Sequence, residues 1–246
     1  MVVSAESVEL PARGWRIDRR KAAVMGVLCW ASVAVIAFLV ASGHAGAVDA
    51  VGLLFWRATP ELEPAGPPLL IEMVRDLTSL GGVLLRNVLA LAAVLALLFL
   101  RLRREAVLLV FTVAGGWLVN TLLKEAMGRG RPEIVPHLTA AGGASFPSGH
   151  SFNSAVVFIA IALAFATLSA RRSVRMTIIG AAVAFSLAVA WSRVWLGVHF
   201  PTDVIAGWMG GAGWAFLATA LLQRSAGDTA KFIEDHGTPA PGTKSF

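Results

Sequence analysis

Apolar residues in this chain come in long unbroken runs, neither spaced as the stripe of a surface helix nor alternating as in a half-buried strand. A bilayer-spanning helix needs roughly 20 mostly apolar residues. Six stretches approach that: Ala22 to Val40, Leu80 to Leu100, Ala106 to Leu123, Phe152 to Leu168, Thr177 to Trp191 and Val204 to Leu222. The fifth is short and is expected to run on past Ser192. Closed β-barrels also cross membranes, but their strands alternate polar and apolar residues over about ten positions. Runs such as Val88 to Leu100 show no alternation. The pattern predicts an all-α polytopic membrane protein with six transmembrane helices, built as one domain over residues 22–224. Residues 1–21 read as a basic cytoplasmic segment. Residues 225–246 are polar, carry Pro239 and Pro241, and read as a disordered cytoplasmic tail.

The longest connection, Gly43 to Ser79, is broken by Pro60, Pro64, Pro67 and Pro68. Within it Val51, Leu54 and Phe55 make one apolar face of a short interfacial helix. A covering loop and a lipid-entry element remain open as its role. The N-terminal basic stretch, the apolar run and Ala45-Gly46-Ala47 have the layout of a signal peptide, but an apolar run of about 20 residues is long for a signal core. An uncleaved first helix is the expectation. Cys29, the single cysteine, forms no internal disulfide and reads as a packing residue. There is no internal repeat.

Composition agrees with the runs. Hydrophobic residues make up 57% of the chain and charged residues 15%, with a mean hydropathy of +0.72, far outside the range of a soluble domain. The formal net charge is +6, and its distribution is more informative than its size. Basic residues gather at Arg13 to Lys21, Arg101 to Arg104, Arg171 to Arg175, and again at Arg224, Lys231 and Lys244. The positive-inside rule places both termini in the cytoplasm. Most of the charge is topological, so no nucleic-acid partner is implied. Richness in Ala, Gly and Arg without a tyrosine points to a high-GC bacterium, hence to an inner membrane with the opposite face in the periplasm.

That opposite face collects the polar residues the runs do not explain. Lys124 and Arg131-Pro132 follow the third stretch, Pro147-Ser148-Gly149-His150 opens the fourth, and Ser192-Arg193, His199 and Asp203 lie between the fifth and sixth. Three cations, two imidazoles and a carboxylate suit phosphoryl chemistry, which requires charge compensation on the equatorial oxygens, a nucleophile and a proton for the leaving oxygen. Near these motifs only Glu125, Glu133 and Asp203 are carboxylates, too few to hold a metal, so fixed cations take that part and no cofactor is expected. Arginine can bond two phosphate oxygens at once. Ser148-Gly149 at a helix start offers unpaired backbone N–H groups to an anion. Asp203, one turn after His199, can hold one imidazole nitrogen and leave the other to attack phosphorus, and His150 can donate a proton to the leaving group.

These residues and spacings resemble the type 2 phosphatidic acid phosphatase superfamily, whose pattern is Lys, six residues, Arg-Pro; then Pro-Ser-Gly-His; then Ser-Arg, five residues, His, three residues, Asp. Every part is present between Lys124 and Asp203. The resemblance implies that His199 is the nucleophile of a phosphohistidine intermediate, Asp203 its orienter and His150 the acid. Lys124, Arg131, Ser148, Gly149, His150 and Arg193 would line the phosphate pocket, which contains no metal, at the outer membrane interface. It implies a lipid phosphate or pyrophosphate substrate: undecaprenyl pyrophosphate, phosphatidic acid or phosphatidylglycerol phosphate. A lipid phosphotransferase passing the phosphoryl group to another lipid shares the first half-reaction and stays open, as does a lipid transporter or binding protein without turnover. Oligomeric state leaves no mark.

Plainer readings apply elsewhere. Taken singly, Lys124 and Arg131 are ordinary interfacial anchors. Arg129 reads as a surface charge and Arg86 as a residue snorkelling to headgroups, with contact to a lipid phosphate as the alternative. His44, His137 and His236 read as solvated. Asn120 either supports Lys124 or makes an interhelical hydrogen bond. Gly207 and Gly211 form a small-xxx-small pattern for close helix packing, and Trp191, Trp195, Trp208 and Trp214 include interface anchors.

Overall fold

A computed structural model describes residues 17–58 and 60–222; most of the basic segment assigned to 1–21, the tail assigned to 225–246, and His236 lie outside them. Eight helices follow in order: α1 Arg19–Ala41, α2 Gly46–Leu54, α3 Pro68–Ser79, α4 Val83–Phe99, α5 Arg103–Met127, α6 Gly149–Ala166, α7 Arg172–Trp195 and α8 Pro201–Leu222. Five are long and apolar enough to span a bilayer, and α3 with α4, bent by 46° at Leu80-Gly81-Gly82, make a sixth candidate. The expected number of six is reached if the bent pair counts as one span. The second expected stretch, Leu80 to Leu100, is occupied by α4, which begins at Val83 because Leu80-Gly81-Gly82 break the chain between α3 and α4.

The connection before it is mostly helical as well. Pro67 and Pro68, expected to break structure, cap and open α3; proline at the first helical position loses no hydrogen bond. In α2, Val51, Leu54 and neighbouring Phe55 are exposed, as the apolar face requires, while Asp49 and Leu53 on the other side are buried. The α7 helix runs on to Trp195, past Ser192 as expected.

α6 is the central helix. Phe152, Ala155, Val156 and Ala166 are buried along its length, and it packs on α5, α7 and α8, while α1 covers α8. Lipid tails are as apolar as side chains, so helices in a bilayer associate through close packing rather than water exclusion. Small residues provide it. A Cβ added at Gly211 would stand 2.1 Å from the Phe152 carbonyl oxygen, and one at Gly207 2.7 Å from that of Ser148. The Gly207/Gly211 pattern thus serves α6–α8 packing within the chain. Large apolar side chains on α1, α4 and α5, such as Phe38, Leu84, Phe99, Phe111 and Trp117, face outward, as lipid-facing residues should. Trp195, in contrast, is buried with Leu196 and Val198, and so is a core residue rather than an anchor.

At one end of the bundle Asp18 caps α1 through the N–H groups of Arg20 and Lys21, and Arg19 Nε donates to Ala220 O at 2.8 Å. The α4–α5 and α6–α7 turns, with Arg101 to Arg104 and Arg171 to Arg175, fall at the same end. The C-termini of α5 and α7 and the N-termini of α6 and α8 lie at the other.

Candidate active site

Four segments bring the motif residues to that second end. α5 carries Lys124 in its last turn and stops at Gly128 in the left-handed conformation, φ 56°, sending the chain into a loop that bears Arg129 and Arg131. Ser148 is the N-cap of α6, with His150 in the first turn. Arg193 lies in the last turn of α7. Gly197, φ 77°, then reverses the chain where an added Cβ would stand 2.6 Å from Pro136 O. His199 follows, and Pro201 opens α8 with Asp203 in its first turn.

His199 and Asp203 are both buried. Arg131 Nη1 donates to His199 Nε2 at 3.1 Å. A guanidinium has donors only, so Nε2 accepts, and the proton of the neutral ring sits on Nδ1. Nδ1 lies 3.2 Å from Ser145 Oγ and 3.5 Å from Asp203 Oδ2, while the Ser145 hydroxyl donates to that carboxylate oxygen. The expected hold of Asp203 on His199 is therefore largely relayed through Ser145, whose own N–H is fixed on Arg129 O at 2.7 Å. Burial pushes the His199 imidazole down to about 4; Asp203 opposes this, and Arg131 and Arg193 add to it. The ring is neutral near pH 7, with its lone pair on the nitrogen that meets the arginine.

The cations are held from behind. Arg131 donates to Val198 O at 2.8 Å, Gly142 O at 2.7 Å and Gly143 O at 3.2 Å, and Lys124 Nζ to Ala144 O at 2.5 Å. Burial lowers the affinity of Arg131 for its proton, and Asp203 counteracts this. Arg193, 3% exposed, donates from Nη1 to Thr78 Oγ1 at 2.9 Å, while its buried Nε has no partner. Gly149 packs against Lys124 Cε and Asn120 Oδ1, where an added Cβ would stand 3.4 and 3.3 Å away. Lys124 is within electrostatic reach of Arg131, Arg193 and Asp203, and His150 of Arg193, His199, Arg86 and Arg131. All eight residues singled out in the sequence thus meet in one place.

Three expectations need correction. Arg129 is no surface charge: its guanidinium bridges Asp203 Oδ1 and Asp49 Oδ2, each at 2.6 Å, and lies 4.1 Å over the Phe200 ring. The Ser148 N–H is not free for an anion, because it donates to Asp203 O at 2.9 Å; the N–H groups after it, in the first turn of α6, have no intrahelical partner. Arg86 does not snorkel. It is 6% exposed and donates from Nη1 to Gly81 O at 3.3 Å, held inward because α4 starts beside the site. His44 is exposed and bonds Ser42, and His137 meets Pro132 O at 2.7 Å, both in loops as expected. Asn120 is buried with an unpartnered Nδ2, beside Gly149 rather than bonded to Lys124.

Asp49 and Ser145 escaped the sequence reading. Asp49 accepts from the N–H and hydroxyl of Thr202 at 3.0 and 2.8 Å, tying α2 to the start of α8. Its signal was a carboxylate in an otherwise apolar stretch, Ala45 to Leu54. Ser145 had no signal, since a serine in a Gly-rich loop is unremarkable. Among the described residues, no group of three or more His, Cys, Asp or Glu side chains could hold a metal ion.

Comparisons with known proteins converge on one family. The sequence profile of the PAP2 superfamily matches residues 105–226. Phosphatidylglycerophosphatase B of Bacillus subtilis (strain 168) is 35% identical over 146 residues, 57% of this chain and 69% of that protein. A lipid A 1-phosphatase of Rhizobium johnstonii is 35% identical over 52% of this chain and 51% of its own length. An undecaprenyl-diphosphatase of Sulfolobus acidocaldarius is 30% identical over 52% of this chain and 60% of its own length. In three dimensions the chain is similar to the crystal structure of a transmembrane PAP2-type phosphatidylglycerolphosphate phosphatase from Bacillus subtilis, with a TM-score of 0.71 at 27% identity over 80% of this chain and 94% of the other. With the complete motif set gathered at one end of a membrane helical bundle, the chain belongs to the PAP2 superfamily.

Proposed function

We propose that this protein is a metal-independent lipid phosphatase of the inner membrane, acting through a phosphohistidine on His199 with its site facing the periplasm. The observation that carries the reading is the 3.1 Å contact of Arg131 Nη1 with His199 Nε2. It leaves the proton of a neutral imidazole on Nδ1 and places the Nε2 lone pair, which Arg131 occupies here, next to a guanidinium that would bind a phosphoryl oxygen instead once substrate is present. The relatives support the substrate class: each is named for removing phosphate from a lipid phosphate or diphosphate.

In this reading Lys124, Arg131, Arg193 and the N–H groups at the start of α6 bind the non-bridging oxygens. His199 Nε2 forms a bond to phosphorus as the bond to the leaving oxygen breaks, and His150 protonates that oxygen. The positive charge arising on His199 is met by Asp203 through Ser145 and directly. Water then attacks the phosphohistidine, giving its proton to His150 and releasing phosphate. Fixed donors that meet charge as it develops are worth roughly 10²- to 10³-fold each in turnover.

The test is phosphate release by the purified protein in detergent with EDTA, from undecaprenyl diphosphate, phosphatidic acid, phosphatidylglycerol phosphate and a lipid A 1-phosphate, beside His199→Ala. Release that survives chelation and is lost in the variant is expected, together with acid-labile phosphate on the wild-type chain. Activity that disappears with EDTA, or persists in His199→Ala, would overturn the mechanism.

A further inference from the structure

Arg86 belongs to none of the motifs, yet it is buried at the site. It stands in the first turn of α4, just after the 46° break from α3. Its guanidinium donates to Gly81 O, and Gly81 packs directly on His150: an added Cβ would stand 3.4 Å from the ring carbon Cδ2 and 3.5 Å from the carbonyl oxygen. The same break supplies Thr78 to Arg193. Among the described residues no carboxylate pairs with Arg86 or Arg193, and the buried Nε of Arg193 is unpartnered. Buried charges without a counter-ion are costly and are kept where an anion is to be met.

The cations are also distributed unequally. Arg193 and Arg131 bear on both histidines, and Arg86 bears in addition on His150. The proposed acid, which faces the leaving group, therefore has a cation of its own. The lipid that leaves from phosphatidic acid is a neutral alcohol and brings no further charge there. A lipid diphosphate leaves as a lipid monophosphate, an anion at that position.

We propose that Arg86, beside His150, forms a second anion subsite for the lipid-side phosphate, making lipid diphosphates the preferred substrate class. This rests on the phosphatase reading above. When His199 Nε2 bonds to the terminal phosphorus, the bond from that phosphorus to the bridging oxygen breaks. The electron pair stays on the oxygen, which takes the proton of His150, and the departing lipid monophosphate is held by Arg86.

The experiment compares kcat/KM for a polyprenyl diphosphate and for phosphatidic acid in the full-length protein, in wild type, Arg86→Gln and Arg86→Lys. Loss of a charge-assisted contact lowers the diphosphate-to-monophosphate ratio by about 10- to 100-fold in Arg86→Gln, and by less in Arg86→Lys. A ratio unchanged in both variants, with the two substrates losing equally, would overturn the subsite and leave Arg86 as a support of the α3–α4 bend. Should the Gln variant not fold, inhibition of wild type decides: methylenediphosphonate is expected to bind more tightly than methylphosphonate, and equal inhibition overturns the proposal. Wild type inactive on both lipids defeats the phosphatase reading itself, whereas active wild type with an unchanged ratio defeats only the assignment of Arg86.

Discussion

Arg129→Met tests the tertiary reading most directly, because Arg129 is the residue whose role changed most between sequence and structure. The substitution keeps a long apolar stem and removes a cation shared by Asp49 and Asp203, which are 1% and 0% exposed. Breaking a buried ion pair from one side costs about 3–5 kcal/mol, and here one side chain serves two carboxylates at 2.6 Å each. Other donors limit the damage. Asp49 keeps the N–H and hydroxyl of Thr202, and Asp203 keeps Ser145 and the Phe200 N–H at 3.0 Å. A loss of about 4 kcal/mol follows, which for a chain of this size lowers Tm by roughly 10 °C. Thermal unfolding in detergent followed by tryptophan fluorescence reads it. Adding Asp49→Asn to Arg129→Met removes one stranded charge and should recover about 1–3 kcal/mol, while Arg129→Lys, a point charge without the fork, should fall between. An Arg129→Met protein with wild-type Tm and turnover would refute the buried bridge and return Arg129 to the surface.

Further outcomes follow from the same geometry. The His199 imidazole should titrate at about 4 rather than at its ordinary value of about 6.5, which NMR of labelled histidine measures; a midpoint near 6.5 would contradict its burial. Because the folded value lies below the unfolded one, the unfolded chain binds the extra proton between them, so this contribution to stability is complete above about pH 6.5 and is lost as pH falls towards 4. Arg193→Lys cannot hold Thr78 and still present the free Nε edge, and a drop of about 10- to 100-fold in kcat/KM is expected; full activity would show that a point charge suffices. Gly211→Ala places a methyl against the Phe152 carbonyl and should cost about 1–3 kcal/mol by forcing α6 and α8 apart, whereas an unchanged Tm would mean that these helices are not so closely packed.

Much of this protein was legible before folding was considered. Spans such as Ala22 to Val40 and Ala106 to Leu123 follow from apolar run length, because a bilayer demands that every backbone group be satisfied within the helix and that the side chains suit lipid. The site motifs were equally plain, since Lys124, Arg131, His150 and Arg193 are polar groups out of place at the edges of such runs. Tertiary structure decided everything that depended on which residues face one another. Run length treats the Leu80 to Leu100 stretch as straight and cannot see that Gly81 breaks it against His150, or that Pro68 starts a helix instead of ending one. Arg129 and Arg131 are two residues apart in one loop and indistinguishable in charge. Only the packing of α2 against α8 gives one of them Asp49 and Asp203 as partners and leaves the other facing His199. Ser145 was invisible, and Arg86, legible as a charge near the end of a span, was assigned to the headgroups, for the same reason: the electrostatic cost that fixes their roles arises from burial among distant segments, and burial is a property of the assembled bundle.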